Sequence, residues 1–218
     1  MDRVLRSDES RDFVVDTVVL NYFLLADRQD LLIELLGKPI YVPRVVFDPD
    51  EEITVQPKAM SELSRGIDRY RRLGEDTSRP VEEQEEATSK SKQLSAIRRL
   101  VSSGEVVIVD MNEAERVTFA SLMSPDNLGD FGLTFLLGAG EAACVSIALN
   151  RELALSTHDK DAIVALENLS PSHPVERVRG MLVRAANQQR VTEQDANLIH
   201  AQMRDSGFWD CDQPFPDK

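Results

Sequence analysis

Asp16, Glu141, Asp159 and Asp161 are the residues of this 218-residue chain whose types and placing could do chemistry. Asp16 ends the apolar run Phe13-Val14-Val15. Glu141 follows the glycine turn Gly138-Ala139-Gly140. Asp159 and Asp161 stand in Thr157-His158-Asp159-Lys160-Asp161, just past Leu153-Ala154-Leu155-Ser156. Carboxylates brought close together raise one another's pKa unless a cation joins them. A site made only of oxygen ligands suits Mg²⁺ or Mn²⁺. Such an ion lowers the pKa of bound water and offsets charge developing on a phosphate, which is what phosphodiester hydrolysis requires. Taken singly, each acid has an ordinary role. A strand-end Asp caps a turn or helix, Glu141 is a first-turn acid favoured by the helix dipole, and Asp159 and Asp161 are loop acids and caps. The joint pattern favours the metal reading. Asp110, which also ends a strand-like run, is a weaker rival.

The elements that must hold these acids are legible as alternating patterns. Phe13 to Asp16 reads as a first strand, and Val18 to Leu36 as one or two helices ending at Gly37. Lys38 to Pro43 reads as a second strand, and Arg44 to Phe47 as a helix start. Val106 to Asp110 is a further strand, followed by a helix capped at Asn112. The small apolar run Ala142 to Asn150 is a closely packed helix, and Leu153 to Ser156 a short buried strand. Strands alternating with helices argue for a parallel sheet. In such sheets ligands bind outside the carboxyl ends of the strands, where these acids would meet.

The order VVDT, then GAGEAA opening a helix, then LSTHDKDA resembles the PIN-domain nucleases. The resemblance covers roughly Asp12 to Ala165, and the tail at Gly207-Phe208-Trp209 resembles one branch of that family. It implies a three-layer α/β/α fold with a central parallel sheet of four to five strands. It implies a Mg²⁺- or Mn²⁺-dependent endoribonuclease whose metal and catalytic residues are Asp16, Glu141, Asp159 and Asp161. RNA would be the substrate, and a cognate antitoxin or other protein a partner. Thr17, Thr157 and Lys160 are candidate substrate contacts, and the two threonines could equally serve the carboxylates. The family often carries Asn two places after the first acid, where this chain has Val18. It also often supplies an acid about two turns after the second strand. That place falls at Pro49, between Asp48 and Asp50, so no residue is assigned the role. Two alternatives stand beside the ribonuclease: a non-catalytic module of the same fold used for protein contacts, and a hydrolase of another α/β family.

Composition sets the remaining bounds. The formal net charge is −13, which argues against tight non-specific duplex binding. Hydrophobic residues make up 42% of the chain, enough for a core, and no apolar run approaches a membrane span of roughly 20 residues. The N-terminal stretch carries no apolar signal region, so a cytoplasmic protein is expected. Homodimer formation is compatible with this reading. Cys144 and Cys211 suggest neither a disulfide framework nor a zinc site. With three histidines in all, a histidine-based site is not expected, and His158 reads as a solvent-facing loop residue.

The expected organisation is one α/β domain over residues 11–190 and a C-terminal helix and tail over 191–218 packed on it. A charged helical insertion at about 50–103 interrupts the domain. The insertion reads as a solvated arm with basic clusters at Arg65, Arg69, Arg71 and Arg72 and at Lys90, Lys92, Arg98 and Arg99. Its sharper reading is a substrate- or partner-gripping element; in either case it is expected to be dispensable for the core.

Overall fold

A computed structural model describes residues 12–51, 60–210 and 212–216. The expectations for the N-terminal stretch and for Cys211, and residues 52–59 of the insertion, lie outside the described residues. Five short strands form one parallel sheet: β1 (Phe13–Val15), β2 (Ile40–Pro43), β3 (Val106–Val109), β4 (Ala154–Ser156) and β5 (Val175–Glu176). Their order is β3-β2-β1-β4-β5. Helices flank the sheet, and the architecture is three-layer α/β/α.

β1, β2 and β3 are rich in Val and Ile and β4 is small and largely apolar, as sheets covered on both faces require. Val14, Val15, Ile40, Val42, Ala154 and Leu155 are fully buried. The chain first builds outward from β1 through β2 to β3. It then returns to the other side of β1 with β4 and β5. The order reverses at β1, so the crevice between β1 and β4 is the switch point where ligands are bound in open α/β sheets.

α1 (Thr17–Leu25) starts directly after β1, and α2 (Gln29–Leu36) ends at Gly37. α6 (Glu113–Leu122) follows β3 with a capping box. The Asn112 side chain accepts from the Glu115 N–H, and the Glu115 carboxylate accepts from the Asn112 N–H. α7 (Ala139–Arg151) leads into β4. Its residues from Ala142 to Ala148 are buried, including Ala142, Ala143 and Ala148, so the helix lies close against the sheet. α8 (Lys160–Leu169) connects β4 to β5. α9 (Val178–Asn187) and α10 (Glu193–Asp205) complete the chain, and α10 buries Ala196, Ile199, His200 and Met203. Past α10, Phe208 is buried against Tyr22, with ring centroids 4.6 Å apart, and the Tyr22 hydroxyl donates to the Gly207 carbonyl at 3.0 Å.

Two expectations change. Arg44 to Phe47 is a turn and does not begin a helix. The Val46 and Phe47 N–H groups both donate to the Pro43 carbonyl, closing one turn that is not continued. Pro49 disfavours helical backbone at Asp48, so the turn cannot propagate. Arg44 instead joins Asp110 at 2.9 Å and Asp48 at 2.7 Å.

The insertion is also more than a solvated arm. It forms α3 (Glu62–Glu75), α4 (Val81–Ser95) and α5 (Ile97–Ser102), with α3 and α4 packed as a hairpin. Leu63, Ile67, Leu94, Ile97 and Leu100 all belong to the main hydrophobic core. The alternation of these apolar positions with charged ones gives the hairpin one buried face. Apart from the buried Asp68, most of its charge lies away from that face, which is why composition alone read as solvated. Replacing the whole stretch would uncover that core, so the expectation of dispensability is withdrawn.

Candidate active site

The parallel register brings the first acid and the acidic loop together. Val15 pairs with Ser156, and the Asp16 N–H donates to the Ser156 carbonyl at 3.0 Å. The next residues along the two strands, Asp16 and Thr157, therefore stand side by side. The Thr157 hydroxyl donates to Oδ2 of Asp16 at 2.8 Å and accepts from the Asp159 N–H at 3.1 Å. Asp16 occupies the N-cap position of α1, yet its side chain makes no capping hydrogen bond. Its other oxygen, Oδ1, is buried and has no hydrogen-bond partner among the described residues. A buried carboxylate oxygen without a donor is costly, because nothing replaces the water it has lost.

Glu141 lies in the first turn of α7, as expected, and is half-buried. The Asp159 carboxylate caps α8 by accepting from the Ala162 N–H at 2.8 Å, so its capping role is real. Asp161 sits in the first turn of α8, half-buried, and Lys160 between them is exposed.

Sequence reasoning missed Glu62. This residue opens α3, the first helix of the insertion. One of its carboxylate oxygens accepts from the Gly140 N–H at 3.0 Å, and the other accepts from the Thr17 hydroxyl. A Cβ at position 140 would lie inside the Glu62 carboxylate, so a glycine is required for this approach. The signal was present as an acid opening a helix. It stands about twenty residues past the second strand, well beyond the two turns that directed attention to Pro49.

The electrostatics tie these acids to one region. Burial pushes the Asp16 carboxyl up to about 7; the Thr157 hydroxyl opposes this, and the charges of Glu141 and Glu62 add to it. Burial likewise raises Glu141 to about 7, reinforced by Asp159, Glu62 and Asp161, with a backbone hydrogen bond at Gly138 opposing. Glu141 thus feels the charges of Asp159, Glu62 and Asp161, and Asp16 those of Glu141 and Glu62. The carboxylates are neighbours without being gathered. Among the described residues, no group of three or more His, Cys, Asp or Glu side chains is set to hold one metal ion.

The remaining candidates separate. Thr17 and Thr157 are buried, and their hydroxyls go to Glu62 and Asp16. Asp110 is exposed and paired with Arg44. His158 is not solvent-facing. It is 7% exposed, with its ring 4.7 Å from Phe208 and 4.9 Å from Trp209. Burial lowers its pKa, with Asp210 opposing. Every residue from Ala154 to His158 is buried, and the C-terminal Phe208 and Trp209 cover the His158 ring, a contact that its own sequence neighbours do not signal. Cys144 is buried beside β1, and burial raises its thiol pKa well above the usual value.

Fold and site together define an α/β protein with a parallel sheet and with buried and half-buried acids at the carboxyl edge of its switch point, the place where open α/β sheets have their crevice. No family model matches the chain, and neither a curated protein nor a solved structure matches it significantly. Among the described residues, no helix is long and apolar enough to cross a membrane.

Proposed function

We propose that the protein is a divalent-metal-dependent endoribonuclease of PIN type, acting on RNA by phosphodiester hydrolysis. The observation that carries this reading is the state of Asp16. It is a buried carboxylate at the end of β1, with one oxygen unpartnered and the charges of Glu141 and Glu62 bearing on it. A hard cation would relieve both the repulsion and the missing partner. The donors fit Mg²⁺ or Mn²⁺, since they are all carboxylate oxygens. Asp16, with one oxygen unpartnered, would hold the ion, and Glu141, Glu62, Asp159 and Asp161 would have to close on it, since they are not gathered about one position as they stand. When bound, the ion would supply an activated water and offset charge on the phosphate. Thr157 fixes the Asp16 carboxylate, and the Gly140 N–H and the Thr17 hydroxyl fix Glu62.

One observation favours a second reading, a non-catalytic scaffold of the same type used for protein contacts. The acids are not gathered into a ready ligand set among the described residues. A toxin paired with an antitoxin is a special case of the first reading, and a small antitoxin gene beside this one would support it. The test is cleavage of a single-stranded RNA oligonucleotide by the purified protein with EDTA, Mg²⁺ or Mn²⁺, set against Asp16→Asn. Cleavage that needs the ion and is lost in the variant supports the ribonuclease. Absence of cleavage with every ion favours the scaffold.

A further inference from the structure

The net charge of −13 leaves open how such a chain would hold RNA. α3 offers an answer. Its first residue, Glu62, is pinned in the acidic crevice by the Gly140 N–H and the Thr17 hydroxyl. Each helical residue turns the chain by about 100°, which places Arg65 and Arg69 within about 60° of Glu62 around the helix axis. Leu63, Ser64, Ile67 and Asp68 occupy the buried side. Arg65 and Arg69 are both exposed. They stand about 6 Å apart along the axis, and the nearer is about 4.5 Å from Glu62.

The four arginines of α3 are not equivalent. Arg71 is taken up by Asp68 at 2.7 Å and Glu75 at 3.1 Å, and Arg72 by Asp68 at 2.8 Å. Arg65 and Arg69 make no ion pair among the described residues. The Arg69 guanidinium lies 5.9 Å from the Tyr70 ring centroid, and the Lys90 ammonium reaches the same ring at 5.7 Å. The hairpin also segregates its charge. The Ser91 hydroxyl donates to the Ile67 carbonyl, while Gly74 lies against Gln84 and Thr88, so α4 runs antiparallel to α3. The acids Glu82, Glu83, Glu85 and Glu86 therefore lie toward the far end of the hairpin. Arg65 and Arg69 lie nearer the other end, toward Glu62, while Lys90 is paired with Glu86 at 2.6 Å.

We propose that the Glu62 face of α3 is a phosphate track, on which Arg65 and Arg69 hold successive backbone phosphates of a single-stranded RNA leading into the acidic crevice. This rests on the ribonuclease reading and names its substrate as an extended single strand. Two guanidiniums one helical turn apart suit adjacent phosphates, since Arg presents a planar fork to each. A side chain committed to a neighbouring carboxylate could not serve in this way.

The test is binding of a fluorescent oligouridylate in EDTA as a function of salt. The proteins are the wild type, Arg65→Ala/Arg69→Ala, Arg65→Lys/Arg69→Lys and the control Arg71→Ala. Arg65 and Arg69 are exposed and Arg71 is half-buried against Asp68, and circular dichroism checks the fold of every variant. Each phosphate contact on a single strand contributes about 0.7 to the slope of log K against log salt. The double alanine variant should lose about 1.4 from that slope, whereas the lysine pair and Arg71→Ala should keep it. Equal slopes for the double alanine variant and the wild type would overturn the track, as would an equal loss in Arg71→Ala. Polyglutamate competing as well as the oligouridylate would also overturn it, by showing that the stripe takes an acidic peptide. Metal-dependent cleavage by the wild type is scored separately, so the track can fail while the ribonuclease stands.

Discussion

Thr157 links the two acidic segments with one hydroxyl: it donates to Oδ2 of Asp16 at 2.8 Å and accepts from the Asp159 N–H at 3.1 Å. The central strand, the acidic loop and the start of α8 are thereby held in one register. Thr157→Val keeps the volume and removes the donor, leaving Oδ2 of the buried Asp16 carboxylate, like Oδ1, without a side-chain donor. The variant should be about 1–3 kcal/mol less stable at neutral pH. RNA cleavage should fall about 10- to 100-fold, as for contacts that orient a metal ligand. Thr157→Ser should restore most of both. Chemical denaturation and a cleavage assay on the three proteins decide it; full activity in Thr157→Val would remove the threonine from the site.

Asp16→Asn should abolish ion-dependent cleavage, by about 100-fold or more, while the protein stays folded. The substitution exceeds the loss of an orienting contact because it removes the central carboxylate itself. An unchanged rate in a nuclease-free preparation would end the assignment.

The pH dependence of stability has a definite sign. Asp16 and Glu141 stand at about 7 in the folded chain, raised from ordinary values of 3.8 and 4.5. Between about pH 4 and 7 the native state keeps protons that the unfolded chain has released. The contribution of these two acids to the stability of the metal-free protein therefore falls as pH rises through that window and levels off above it. His158 and His200, both lowered mainly by burial, act in the opposite sense below about 6.5. The clean measurement is a difference. The advantage of Asp16→Asn over wild type in EDTA should grow from pH 5 to pH 8, reaching a few kcal/mol. A difference that does not vary with pH would mean that Asp16 is ionised throughout.

Mg²⁺ or Mn²⁺ at millimolar concentration should raise the melting temperature, as any ligand that binds only the native state does. Glu141→Gln, Glu62→Gln and Asp159→Asn should each shrink the rise. The first two should also stabilise the metal-free protein at pH 8 by removing repulsion, provided that glutamine at 62 still accepts from the Gly140 N–H. Equal melting shifts in all four proteins would place the ion elsewhere on the acidic surface.

The α3–α4 hairpin can be tested through its buried face. Leu94 is 1% exposed and belongs to the main core. Leu94→Ala should cost about 2–5 kcal/mol, and replacement of residues 50–103 by a short linker should give an insoluble or molten chain. A soluble, cooperatively melting product would return the hairpin to the status of an appendage.

The parallel α/β architecture could be read from the chain because its signals are local. Short β-branched runs such as Val14-Val15 and Val106-Val107-Ile108-Val109 alternate with helical patterns, and Asn112 and Glu115 spell a cap. Asp16, Glu141, Asp159 and Asp161 were likewise visible as acids following strands or opening helices. What their mutual placement required was the strand order. Only the pairing of β1 with β4 sets Asp16 beside Thr157, and sequence periodicity does not specify which strands are neighbours. Glu62 was hidden for a related reason. It reaches the crevice through a hairpin whose length has no local signature, and its carboxylate is fixed by Gly140, 78 positions away. His158 and the face of the charged hairpin were misread because burial is a property of what packs on top. The chain determined where carboxylates end strands, since that depends on neighbours in sequence. The tertiary structure decided which of them share a crevice, since charge repulsion and desolvation depend on neighbours in space.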